Sequence, residues 1–304
     1  MADGGQDDRT GGGMMREDGE GPGAVAARLT GRAVVAQRRL TGEVTEVALD
    51  GGPVIVKEAG SASAARAEAA GLGWLAEARA VRVPVVHGLD RRWLVTGCVP
   101  EGPPSAAAAV RFGRELAGLH AAGAPAFGAP PPDGAAEAYI GLAPMRNVPG
   151  SDWPRWYAEH RVLPYLRRAV DRGTVLRDET VVVERVCERL ADLAGPSEAP
   201  ARLHGDLWSG NVLWGADGHV WLIDPAAHGG HRETDLAMLQ LFGCPRLTEV
   251  LEGYQDTAPL AAGWRQRVGL HQLFPLLVHA VLFGRPYAEQ ALGTARRLLS
   301  EAGH

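Results

Sequence analysis

The chain is predicted to be an α+β protein of two lobes, a small antiparallel β-sheet with one helix followed by a mainly helical lobe. Three observations predict this. Short β-prone runs separated by turn residues crowd positions 33–96, helical patterns fill most of the chain after Ser105, and a Pro/Gly-rich stretch at 98–104 divides the two. At 304 residues there is room for two such units with a sizeable core.

Residues 1–23 hold eight glycines and six acidic residues but few apolar ones, which predicts a disordered segment. The sheet lobe is assigned to 24–97. Its strands are Ala33 to Val35, Val44 to Leu49, Val54 to Val56 after the turn Asp50-Gly51-Gly52, Val81 to Val86, and Arg92 to Thr96. The Ala-rich run from Ser61 to Ala78 is the lobe's one helix, with Ser61 as its cap. Residues 98–104 form the hinge, where an extended backbone would present the C=O of Gly97 and the N–H of Val99 to an adenine edge. The helical lobe, 105–304, carries helices over 105–121, 152–172, 177–193, 232–242 and 247–254, and two more after Gly263. The Pro/Gly-rich span 123–150 is expected to be an irregular insertion.

An apolar content of 46% with 22% charged residues is that of a soluble globular protein. The net charge of −5 supplies no basic surface for nucleic acid, so a small-molecule partner is expected. Three scattered cysteines, Cys98, Cys187 and Cys244, point to reduced thiols and a cytoplasmic setting. The N-terminus has neither the basic nor the apolar region of a signal peptide. The most apolar late stretch, 270–283, is interrupted by His271, Pro275 and His279, so no membrane span is expected. Monomer and homodimer both remain open.

Chemistry concentrates in His204-Gly205-Asp206-Leu207-Trp208-Ser209-Gly210-Asn211, followed by Ile223-Asp224-Pro225. Between Asn211 and Asp224 lie two β-prone runs around Asp217-Gly218, which predicts a hairpin. With Asp217 and Gly218 as a two-residue turn, Asn211 faces Asp224, placing their Cβ atoms roughly 4.5–5.5 Å apart. Both side chains then serve one cation, and such oxygen ligands suit Mg²⁺. Asp206, upstream on the loop, is the candidate base for an acceptor hydroxyl. An Asp with an Asn five residues on and a second Asp beyond is the layout phosphoryl-transfer enzymes use beside ATP.

A single lysine, Lys57, stands among the chain's 31 basic residues. It ends the apolar run Pro53-Val54-Ile55-Val56. A compact ammonium reaches phosphates where the larger arginine fork does not, so Lys57 is the candidate phosphate contact. Glu68, on the helix that follows, is its candidate partner.

LHGDLWSGNVLW, IDPAAHGGHRETDLAMLQLFG and WYAEHRVLPYLRRA resemble the fructosamine kinase (ketosamine 3-kinase) family, a branch of the protein-kinase-like and aminoglycoside-phosphotransferase fold. The likeness spans roughly residues 25–300. It implies an ATP- and Mg²⁺-dependent kinase acting on a sugar hydroxyl, the 3-hydroxyl, of a glycated amine, free or protein-bound, after which the adduct decomposes and releases the amine. By the same resemblance Asp206 is the base, Asn211 and Asp224 are metal ligands, and Lys57 and Glu68 are the phosphate-orienting pair. Trp208 would wall the acceptor site, and Glu159 and Arg161 would contact substrate. His204 and Asp235 are read as structural supports of the loop.

Two departures from the family pattern stand out. The phosphate loop Leu40-Thr41-Gly42-Glu43-Val44-Thr45 has one glycine, Gly42, and an acidic residue; and His231 replaces a frequent Asp, a change expected to affect substrate contacts or pH response. Two other readings stay open: a kinase for aminoglycosides, choline or homoserine on the same scaffold, and a non-catalytic nucleotide-binding protein.

Overall fold

A computed structural model describes residues 20–301. The disordered segment expected over 1–23 falls outside the described residues as far as residue 19. Its last residues are ordered instead, because Pro22 opens a helix that the sequence reading lacked, α1 (Pro22–Thr30). Proline suits the first helical turn, and Gly31 ends the helix in the left-handed conformation at φ 71°. Val25 and Ala26 on this helix are fully buried against the sheet.

The sheet is antiparallel: β1 (Val34–Arg39), β2 (Val44–Leu49), β3 (Gly52–Glu58), β4 (Val86–Leu89) and β5 (Trp93–Gly97), in the order β1-β2-β3-β5-β4. The fourth strand starts where its expected range ends, since Pro84 has no N–H to give a ladder. Period-two burial on β2 and β3 sends Val47, Leu49, Val54 and Val56 into the core. Helix α2 (Ala62–Glu77) follows β3, and Ser61 caps it by accepting the N–H of Ala64 at 3.2 Å. The lobe thus has five strands and two helices.

After residues 98–104, Ser105 caps α3 (Ala106–Ala121) in the same way. The insertion is not irregular throughout: β6 (Glu137–Ile140) and β7 (Ala143–Arg146) form a hairpin within it. Next come α4 (Trp153–Tyr157), a π-turn over Ala158–Val162, α5 (Leu163–Asp171), α6 (Thr180–Glu188) and α7 (Leu190–Leu193). The site hairpin is framed by β8 (Ala201–Leu203), β9 (Val212–Trp214), β10 (Val220–Leu222) and β11 (His228–Gly230), with β8 pairing β11. Helices α8 (Glu233–Leu241), α9 (Leu247–Thr257), α10 (Trp264–Phe283) and α11 (Arg285–Glu301) complete the lobe. Among the described residues no helix is long and apolar enough to cross a membrane.

The site hairpin differs from expectation by one register step. Val220 pairs Trp214 and Leu222 pairs Val212, so Asn211 lies opposite Ile223, whose N–H donates to the Asn211 C=O at 3.1 Å. The turn holds three residues, Ala216, Asp217 and Gly218, closed by the Gly215 N–H to the His219 C=O at 2.8 Å. Gly218 at φ 75° supplies the left-handed residue that a three-residue loop needs. Asp224 therefore falls just beyond the ladder, where its backbone adopts φ 52°, a conformation uncommon for a residue with a Cβ.

Candidate active site

A cleft of about 600 Å³ lies between the lobes. Lys57, Glu68, Asp206, Trp208, Asn211 and Asp224 all line it, so six residues drawn from four separate segments of the sequence converge. Lys57 Nζ sits 2.8 Å from Glu68 Oε2 and 3.0 Å from Asp224 Oδ1. Burial works against the ammonium charge, but the two carboxylates outweigh it and hold the Lys57 pKa above its ordinary value.

The catalytic-type loop is built on backbone bonds to two buried side chains. Asp235, on the first turn of α8, accepts the N–H of His204 at 2.8 Å and of Gly205 at 3.0 Å. Burial would raise its carboxyl, yet the adjacent His120 imidazole and these N–H groups keep it below the usual range. The His204 ring accepts the Asp206 N–H on Nδ1 at 3.2 Å, so its proton lies on Nε2, which donates to the Ile223 C=O at 2.9 Å. One imidazole thus ties the loop carrying Asp206 to the strand end carrying Asp224. Gly205 is required here: at φ 82°, a Cβ would stand 2.2 Å from the Ala226 carbonyl oxygen.

Asn211 donates through Nδ2 to the Asp206 backbone oxygen at 2.8 Å and to its carboxylate at 3.2 Å. Both acceptors are oxygens, which fixes the amide orientation and leaves Oδ1 as the end suited to a cation. With the Asp224 carboxylate this makes a hard oxygen donor set, of the kind that suits Mg²⁺. Burial pushes the Asp206 carboxyl up to about 7, and a cation beside it would pull it down again.

Trp208 is half exposed, with its ring edge-on to Phe242 at 6.2 Å. A Cβ on Gly210 would lie 2.2 Å from the indole, so the glycine lets the ring fold back over the loop. This contact explains Trp-Ser-Gly in physical terms. Gly97 and Val99 line a second, smaller cavity of about 110 Å³ with Val44, Ile55 and Leu94, opening beside Lys57 and Asp224. Gly42 sits at the exposed tip of the β1–β2 turn, and its neighbours Glu43 and Val44 reach the main cleft.

Gly42 itself lines neither cavity, and three residues expected to affect substrate contacts do not line the cleft. Arg161 is buried in the helical core, donating to the Arg146 C=O at 2.9 Å and to Asn147 Oδ1 at 2.9 Å, with its guanidinium 4.5 Å from the Trp156 ring centre. Glu159 is exposed and paired with Arg155. Both sit in the π-turn, and being two residues apart they point to opposite sides, Glu159 to solvent and Arg161 into the core. His231 is buried against Trp153 and His271 and does not reach the cleft. The nearby Glu233 carboxylate is forked by Arg267 at 2.6 and 2.9 Å, which makes this cluster an internal ion pair.

The sequence reading also missed two walls of the cleft. One is the β6–β7 tip, Tyr139 to Leu142; the other is the end of α10, with Val278, His279, Leu282 and Phe283. Tyr139 OH shares a hydrogen bond with Ser63 Oγ at 3.0 Å, joining the hairpin to α2 across the lobe boundary.

A sheet lobe with a carboxylate-paired lysine, set over a helical lobe that brings an Asp, an Asn and a second Asp to the same cleft, defines an ATP-dependent phosphotransferase of protein-kinase-like fold. A choline kinase structure from Streptococcus pneumoniae shares this fold at TM-score 0.58 and 14% identity, covering 92% of this chain and 96% of that one. The fructosamine kinase family profile matches residues 40–301, and the chain belongs to that family. A probable ketoamine kinase of Klebsiella aerogenes is 35% identical over 241 residues, 78% of this chain and 79% of that protein. The crystal structure of a putative fructosamine-3-kinase from Thermobifida fusca YX-ER1 superposes with TM-score 0.85 at 49% identity, covering 92% of this chain and all of that one.

Proposed function

We propose that this enzyme transfers the γ-phosphoryl group of ATP, in the presence of Mg²⁺, to the 3-hydroxyl of a ketosamine such as a ribulosamine or fructosamine, which leads to deglycation. The observation that carries the reading is the convergence of Lys57, Asp206, Asn211 and Asp224 on one cleft. Membership of a family whose relatives are described as ketoamine kinases supports the acceptor class.

In this reading the adenine lies in the smaller cavity under β2, β3 and β5, against the backbone of Gly97 and Val99. Lys57, oriented by Glu68, holds the phosphates. Asn211 and Asp224 would hold Mg²⁺, which would supply charge neutralisation at the phosphates. Asp206 takes the proton of the attacking hydroxyl late, as charge builds on that oxygen. His204 and Asp235 act only by fixing the loop. Trp208 offers the sugar an aromatic wall. The protein's contribution is positioning and charge stabilisation, as expected for phosphoryl transfer.

A screen of ADP release with ribulose- and fructose-lysine against choline, homoserine and an aminoglycoside tests the acceptor. Turnover confined to the ketosamines supports the proposal; turnover confined to the other alcohols contradicts it.

A further inference from the structure

Trp208, Leu142 and Phe283 are large apolar side chains left 38%, 77% and 63% exposed, and all three line the one cleft that holds Asp206. Exposed apolar side chains gathered at a concave site mark a surface meant to be covered. They come from three separate elements: the catalytic-type loop, the β6–β7 tip and the end of α10.

Charge is unevenly distributed along the lining of the cleft. Its lysine and four of its carboxylates, Lys57, Glu43, Glu58, Glu68 and Asp224, come from the sheet lobe and the segment after β10. Glu58 is already paired with Arg92 at 2.7 Å. Two other stretches of the lining, Tyr139 to Leu142 and Val278 to Phe283, contribute no Lys, Arg, Asp or Glu among the described residues. Their one titratable imidazole, His279, is held neutral by burial and has Nδ1 within 2.8 Å of the Pro275 C=O.

We infer that the enzyme prefers ketosamines whose amine nitrogen carries an uncharged apolar substituent, alkyl or aryl, over the adduct of free lysine. The inference rests on the proposed ketosamine reaction and concerns the far end of the same acceptor. The sugar and its secondary ammonium lie over Trp208, whose face attracts a cation. The substituent then runs between Leu142, Leu282 and Phe283. A zwitterionic amino-acid end placed there would lose hydration and find no charged partner.

The test compares kcat/KM for the ribulose adducts of hexylamine and of free lysine at the ε-amine, with ATP and Mg²⁺. The hexylamine adduct is expected to be favoured by about tenfold or more, mainly through KM, the scale on which apolar pockets discriminate. Leu142→Glu, at an exposed position, adds a carboxylate to the rim and should shrink that ratio to about threefold or less, with an unchanged melting temperature. Equal or better use of the lysine adduct, or a ratio that Leu142→Glu leaves unaltered, overturns the inference while leaving the ketosamine reaction intact. Turnover of neither adduct overturns both.

Discussion

Lys57 Nζ lies 3.0 Å from Asp224 Oδ1, an ion pair that joins β3 of the sheet lobe to the residue ending the site hairpin of the helical lobe. The same ammonium is 2.8 Å from Glu68 on α2, so one lysine is shared by two carboxylates from different lobes. In the proposed reaction Asp224 would be free to hold the metal and Lys57 to hold phosphate, each keeping an oppositely charged partner.

That geometry makes lysine hard to replace. Lys57→Ala is expected to lower kcat/KM by about 10²-fold or more, the scale for losing one preorganised charge in such a site. Lys57→Arg should recover little of it, because the planar fork cannot occupy the gap between Glu68 and Asp224 as a point charge does. Steady-state kinetics on both variants, alongside ATP affinity, measure this.

Asp206→Asn removes the proton acceptor while keeping the shape of the side chain. Turnover should fall about 10²-fold or more with ATP binding nearly intact. Near-normal turnover would remove Asp206 from the role of base.

Arg161 and Glu159 separate structure from function. Arg161→Ala empties a buried site and orphans the Asn147 and Arg146 acceptors, so a loss of about 3 kcal/mol in unfolding free energy is expected. Glu159→Ala should change stability by less than about 0.5 kcal/mol and leave both kinetic constants unaltered, since its partner Arg155 is largely exposed. Denaturant titration and kinetics distinguish these outcomes from a substrate-binding role.

Buried imidazoles set the acid limit of stability. Burial holds His204, His228, His231 and His271 below the ordinary value, His228 at about 3. An unfolded chain binds these protons from about pH 6.5 downward while the folded chain does not. Stability therefore falls as pH drops below about 6.5, by about 1.4 kcal/mol per pH unit for each histidine that stays neutral, offset in part by the raised carboxyls of Asp206 and Glu68, which take up protons in the folded chain first. Melting temperatures from pH 7.5 to 5.5 should decline, and His228→Asn should flatten that decline.

Residues that converge on the cleft were legible where their signal is local in sequence: Asp206 and Asn211 are five apart, and Lys57 stands out as the one lysine. The serine cap at Ser61 was equally legible, since a hydroxyl before an apolar helical run can accept an N–H of its first turn. The hairpin register was not, because Ala216-Asp217-Gly218 admits both a two-residue and a three-residue loop, and the choice moves Asn211 from Asp224 to Ile223. Arg161 was not legible as a core residue, because its burial depends on acceptors at Arg146 and Asn147 that only the folded insertion brings to it. The apolar wall of Leu142 and Phe283 exists only once an insertion hairpin and the end of a distant helix meet.

The most direct measurement is phosphorus NMR of the products formed from ATP, Mg²⁺ and a ribulosamine. A phosphomonoester on the sugar O3, appearing in step with ADP and followed by release of the free amine, is the predicted result. ADP formed with only inorganic phosphate, or sugar left unphosphorylated while choline, homoserine or an aminoglycoside accepts the group, would contradict it.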